Sequence, residues 1–111
     1  MSEEDTQARV RALFQSYRES LPPLMLELAT SWAQLEPHWD ANEAKEFHRK
    51  VHGIAGSAAT FDCAEIGAVA KNLEYAFAPL LNIEMSENDQ YWSKSKQLFQ
   101  QLQALVKLLD T

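Results

Sequence analysis

His52 is the side chain of this sequence best suited to chemistry. A neutral imidazole nitrogen is a nucleophile and can carry a phosphoryl group covalently. An ordinary histidine has a pKa of about 6.5, so much of the population is unprotonated near neutrality. The run around it is Val51-His52-Gly53-Ile54-Ala55-Gly56-Ser57-Ala58-Ala59-Thr60-Phe61. Val51, Ile54, Ala58 and Phe61 recur at spacings of three and four, the mark of a helix with one buried face. The other face carries His52 and then Gly53, Ala55, Gly56 and Ala59, which have almost no bulk. Helical side chains lean toward the N-terminus, so the space over His52 belongs to Ala55 and Gly56. The imidazole is left uncovered on a rigid backbone. Each glycine in a helix costs roughly 1 kcal/mol relative to alanine, a cost that suits a histidine approached by a large partner.

Positioning that helix requires the rest of the chain, which reads as five helices. Ser2 is an N-cap candidate followed by acidic residues that suit the helix dipole. A first helix to about Glu19 would pack Val10, Leu13, Phe14 and Tyr17. Pro22-Pro23 should break it, and proline tolerates a first turn, so a second helix is expected to start there. It carries Leu21, Met25, Leu28, Trp32 and Leu35 and stops at Pro37. Asp40 with Glu43 reads as a capping box opening the His52 helix, whose stripe is Ala44, Phe47, Val51, Ile54, Ala58 and Phe61. Asp62 with Glu65 gives a second such signal for a helix burying Ile66, Ala70, Leu73 and Phe77. Pro79 disfavours helix at Ala78, and a loop of about eight residues follows by this pattern. Ser86 with Asp89 is a third cap, before a last helix with Trp92, Phe99, Leu102, Val106 and Leu109, widened by Leu98, Leu105 and Leu108. No stretch reads as a strand. The expected fold is all-α: an antiparallel four-helix bundle with an additional N-terminal helix across one end or side, forming one domain over residues 1–111.

The run His52-x-Ile54-x-Gly56-Ser57-Ala58, then Phe61 and further on Leu73-Glu74, resembles the histidine phosphotransfer (HPt) domain. The match is densest from His52 to Glu74. The resemblance implies that His52 is phosphorylated, and that the partner is the receiver domain of a response regulator or of a hybrid sensor histidine kinase. That partner would bring the acceptor aspartate and the Mg²⁺, with no cofactor in this chain. Two positions depart from the family pattern. Ala55 stands where a lysine is usual, which removes a cation beside the phosphoryl group. Asp62 stands where a glycine is usual, which affects a turn. Arg49 is the favoured replacement cation, with Lys45 and Lys71 as others. The docking surface is expected around His52, with Gly53, Ala55, Gly56 and Ala59 allowing approach, His48 and Arg49 at its rim, and Leu24 as a further apolar contact.

A chain of 111 residues with 46% apolar content is enough for a single core. The net charge of −6 argues against nucleic acid and anionic membrane as partners. One cysteine, Cys63, excludes an internal disulfide and fits a reducing compartment. The acidic N-terminus is no secretory signal, and no apolar run reaches the roughly 18 residues of a membrane span. A cytoplasmic, monomeric, stand-alone carrier is expected.

His48 lies four residues before His52, a metal-ligand spacing, but third and fourth ligands are lacking and no metal is expected. Cys63 reads as a small half-buried residue and the three tryptophans as core. Leu73-Glu74 reads physically as one core leucine and one surface carboxylate. An enzyme such as a histidine kinase would need a nucleotide-binding unit, and the sequence has no Gly-rich phosphate loop or Walker lysine. The alternative to a phosphoryl carrier is a helical interaction module that binds a receiver or other partner without phosphotransfer.

Overall fold

The computed structural model describes residues 2–82 and 89–109. Four α-helices and one short 3₁₀ turn make up the order: α1 (Glu3–Leu35), α2 (Ala41–Ser57), α3 (Ala64–Phe77), the turn Ala78–Leu81 and α4 (Asp89–Leu108). No strand occurs among the described residues.

The largest correction concerns the first two predicted helices, which are one. Pro22 and Pro23 lie inside α1, a helix of 33 residues and so about 50 Å long. Each proline removes a backbone donor and costs about 3 kcal/mol in a helix interior. Packing on both sides outweighs that cost. Downstream, Leu21, Met25, Leu28, Trp32 and Leu35 are all buried. Upstream, the Tyr17 ring stacks on Phe61 with centroids 4.6 Å apart. The N-terminal half does not fold across the bundle as expected. Val10 and Leu13 are 40% and 58% exposed, and the molecule measures 57 × 22 × 21 Å. The apolar stripe of α1 simply runs on past the core.

Around that core, α1 packs on α2 and α4, and α3 packs on the same two helices. One aromatic residue from each helix meets at the centre. Trp32, Phe47, Phe77 and Phe99 have ring centroids 4.8–6.4 Å apart. Such pairs contribute roughly 0.5–1.5 kcal/mol each beyond the area they bury. The predicted stripes of α2 and α3 are buried, apart from Phe61, which is half-buried; α4 buries the expected Leu98 and, beyond expectation, Ser95. Trp32 is core; Trp39 and Trp92 are half-buried at its edge, and Leu108 is exposed.

The caps are partly as expected. Ser2 accepts from the Asp5 N–H at 3.2 Å and Asp40 from the Glu43 N–H at 2.9 Å. The Glu43 carboxylate itself turns to the Ser31 hydroxyl. Asp62 is not an N-cap. It has a φ of 64° and closes the end of α2. The Cys63 N–H donates to the Ala58 carbonyl at 2.8 Å and the Asp62 N–H to that of Ala59 at 3.3 Å, the pairing of a Schellman motif with Asp62 at its left-handed position. Cys63 then opens α3 with no side-chain cap. The Ser86 cap lies outside the described residues.

Candidate functional site

The site starts from how closely α2 and α3 approach. A Cβ built on Gly67 would lie 3.2 Å from the Ala58 Cβ, tighter than ordinary contact, so glycine is what lets α3 close on α2 there. Ala58 and Ala70 are fully buried and equally small. Further along, Glu74 of α3 meets His52 of α2, and Phe77 meets His48 with ring centroids 6.5 Å apart. The α2 numbers fall as the α3 numbers rise, so the two helices run antiparallel.

This packing delivers a carboxylate to His52. Its Nδ1 lies 2.6 Å from Glu74 Oε1. The histidine side chain is 68% exposed and that of Glu74 only 17%. Leu73, fully buried, anchors the helix at the preceding residue. An ionised carboxylate only accepts, so Nδ1 carries the proton in this bond. The neutral ring then has its lone pair on Nε2, on the exposed side. Glu74 is therefore no plain surface carboxylate. Reasoning along one helix missed its contact with His52, although Leu73-Glu74 stood in the motif.

The small-residue face is open. A Cβ on Gly53 or on Gly56 would meet nothing within 4 Å, and neither has a positive φ. No contact inside the described chain requires glycine at either position. Ala59 is exposed and Ala55 half-buried on the α3 side. His48 sits four residues from His52 but points inward: it is half-buried, and its Nε2 is buried without a hydrogen-bond partner.

Two of the three candidate cations are engaged elsewhere. Arg49 pairs with Glu46 at 2.9 Å, both side chains being more than half exposed. Each group shifts the other in the favourable direction: the hydrogen bond and charge of Arg49 lower the Glu46 carboxyl pKa, and those of Glu46 raise the guanidinium. Lys71 lies 5.9 Å from the centroid of the Tyr75 ring. Lys45 is exposed. On the α1 side, a cavity of about 450 Å³ runs beside the face, lined by residues that include Tyr17, Leu24, Arg49, Gly53 and Ser57. Burial pushes the Cys63 thiol up, as expected of a small packed residue. No group of three or more His, Cys, Asp or Glu side chains that could hold a metal occurs among the described residues. No helix among them is long and apolar enough to cross a membrane.

No curated protein and no solved structure shows significant similarity to the chain. The family model for the Hpt domain, by contrast, matches residues 12–111. Domains of this family are phosphotransfer modules of two-component signalling; they interact with receiver domains of response regulators and are phosphocarriers rather than kinases. The match spans nearly the whole sequence, from within α1 through α4, and the chain belongs to the Hpt family.

Proposed function

We propose that this chain carries a phosphoryl group on Nε2 of His52. It exchanges that group with the aspartate of a receiver domain, between response-regulator receivers or from a hybrid histidine kinase to a response regulator. The observation that carries the reading is the 2.6 Å bond between Nδ1 and Glu74. It holds the ring in one orientation and tautomer with the nucleophilic nitrogen outward.

The step balances simply. The Nε2 lone pair attacks the phosphorus of an aspartyl phosphate. The Nε2–P bond forms as the P–O bond to the aspartate breaks, and the electron pair leaves on the aspartate carboxylate. The imidazole keeps its Nδ1 proton and gains positive charge, which the Glu74 carboxylate offsets at short range. Delivery to a second receiver is the reverse. Phosphoryl transfer is mostly positioning and charge stabilisation, and the receiver with its Mg²⁺ supplies what this chain lacks at Ala55. Gly53, Ala55, Gly56 and Ala59 form the floor on which the receiver docks, with Arg49 and Leu24 at its α1 edge and His48 beneath it. An ion pair as exposed as Arg49–Glu46 is screened by solvent and holds its partners weakly, so Arg49 is free to turn to the phosphoryl group when the partner arrives.

The test is intact-mass spectrometry after incubation with phosphoramidate, a small phosphodonor. The wild type and His48→Gln should gain one acid-labile phosphoryl group, and His52→Gln should gain none while keeping its helical circular dichroism. Labelling of His52→Gln at the wild-type level would remove His52 from the role.

A further inference from the structure

Tyr17 lies outside the run that marks the site, on a helix that ends far from it in sequence. Yet it grips the end of α2 and the turn that follows it, at two points four residues apart. Its ring stacks on Phe61 with an interplanar angle of 5°. Its hydroxyl lies 2.8 Å from Ser57 Oγ. The direction of that bond follows from the next one. Ser57 has a single hydroxyl proton, which it donates to the Gly53 carbonyl at 2.7 Å, so the Tyr17 hydroxyl must be the donor to Ser57. The relay runs from Tyr17 through Ser57 to the carbonyl of the residue that follows His52.

The relay ends at the turn of α2 that carries both of its glycines. Between His52 and Ser57 stand Gly53 and Gly56, with open space over both, so no side chain covers this face of the turn. A serine hydroxyl bonded to the carbonyl four residues back influences the local bend of a helix. A change of bend at Gly53 would redirect the adjacent His52 and alter its reach to Glu74.

We propose that Tyr17, acting through Ser57, is a positioning residue for His52: its hydroxyl holds the Ser57–Gly53 bond that sets the histidine against Glu74. This rests on the reading of His52 as the phosphoryl carrier. It also explains why the N-terminal half of α1 continues in line through two prolines, since Tyr17 is its point of attachment. Burial pushes the Tyr17 phenol up, which keeps it a donor across the neutral range.

The test uses the full chain, with phosphoramidate as the donor and amide hydrogen exchange as a second readout. Tyr17→Phe keeps the ring stack and removes only the hydroxyl. A net hydrogen bond of ordinary strength corresponds to about fivefold in rate. Tyr17→Phe and Ser57→Ala should each lower the maximal labelling rate of His52 by about that factor, with half-saturation unchanged and exchange faster at the amides of residues 53–57. The double variant should be no slower than Ser57→Ala alone, since both changes cut one relay. Ser57→Thr, which retains a hydroxyl able to bond the same carbonyl, should label as wild type. Wild-type labelling and exchange in Tyr17→Phe would overturn the proposal, as would full additivity in the double variant. If the wild type accepts no phosphoryl group, the carrier reading fails, and the exchange data alone still decide whether Tyr17 restrains α2.

Discussion

Gly53 and Gly56 on α2 and Gly67 on α3 are the same residue in opposite surroundings. Over the first two there is open space, while at the third an added Cβ would press on Ala58 at 3.2 Å. Gly67 serves the chain's own packing, because it lets two helices close until Glu74 reaches His52. Gly53 and Gly56 serve nothing among the described residues, although each costs roughly 1 kcal/mol of helix stability. Glycine thus marks one close approach completed within the fold and, in the proposed function, one kept for a partner. The two faces meet at His52: the packed side supplies the Glu74 carboxylate and the open side leaves the imidazole exposed.

Substitutions that sharpen this contrast rank from the largest effect to the smallest. Glu74→Gln breaks the link between the two sides. It keeps the shape but loses the charge that offsets the phosphorylated ring, and a hydrogen bond to a charged group is worth about 1.5–3 kcal/mol. Labelling of His52 by phosphoramidate should fall about tenfold or more, with little change in Tm. Gly67→Leu attacks the packed side. Overpacking costs about 1–3 kcal/mol, so thermal melts should show a Tm lower by several degrees, and His52 labelling should fall with it as Glu74 is displaced. Gly56→Ala should do the reverse on the open side. It should gain about 0.5–1 kcal/mol in denaturant unfolding and leave phosphoramidate labelling unchanged, yet slow phosphoryl exchange with a receiver domain. A stabilised variant with unimpaired exchange would break the distinction between the two faces.

Asp62→Gly should give the smallest effect. Asp62 occupies the left-handed region with φ 64°, where glycine has no steric penalty and aspartate a modest one. A gain of up to about 1 kcal/mol in chemical denaturation is expected, with the transfer chemistry untouched. A loss of stability would show that the aspartate side chain contributes to this turn beyond its backbone conformation.

The helical stripes were legible because core residues at spacings of three and four leave a strong pattern: Leu21 to Leu35, Ala44 to Ala58 and Ile66 to Phe77 all lie where expected. The bare surroundings of His52 were legible too: Gly53 and Gly56 have open space over them. What escaped depended on neighbours distant in sequence. Pro22-Pro23 reads locally as a break, and only the contacts of Tyr17 and Leu21 show why the helix persists. Asp62 fits both an N-cap and a left-handed residue, and the Cys63–Ala58 bond decides for the second. Val10 and Leu13 carry the stripe of a packed helix but lie beyond the end of the core. Glu74 looks like a surface carboxylate along α3 alone. Its contact with His52 appears only once Ala58, Gly67 and Ala70 have brought α3 against α2.

The central claim is that Glu74 holds the Nδ1 proton and leaves Nε2 as the nucleophile. Correlated ³¹P and ¹⁵N NMR of the phosphoramidate-treated chain reads the bonded nitrogen directly. Phosphorus is expected on Nε2 of His52, with the Nδ1 proton still hydrogen-bonded. Phosphorus on Nδ1, or on any other residue, would contradict it.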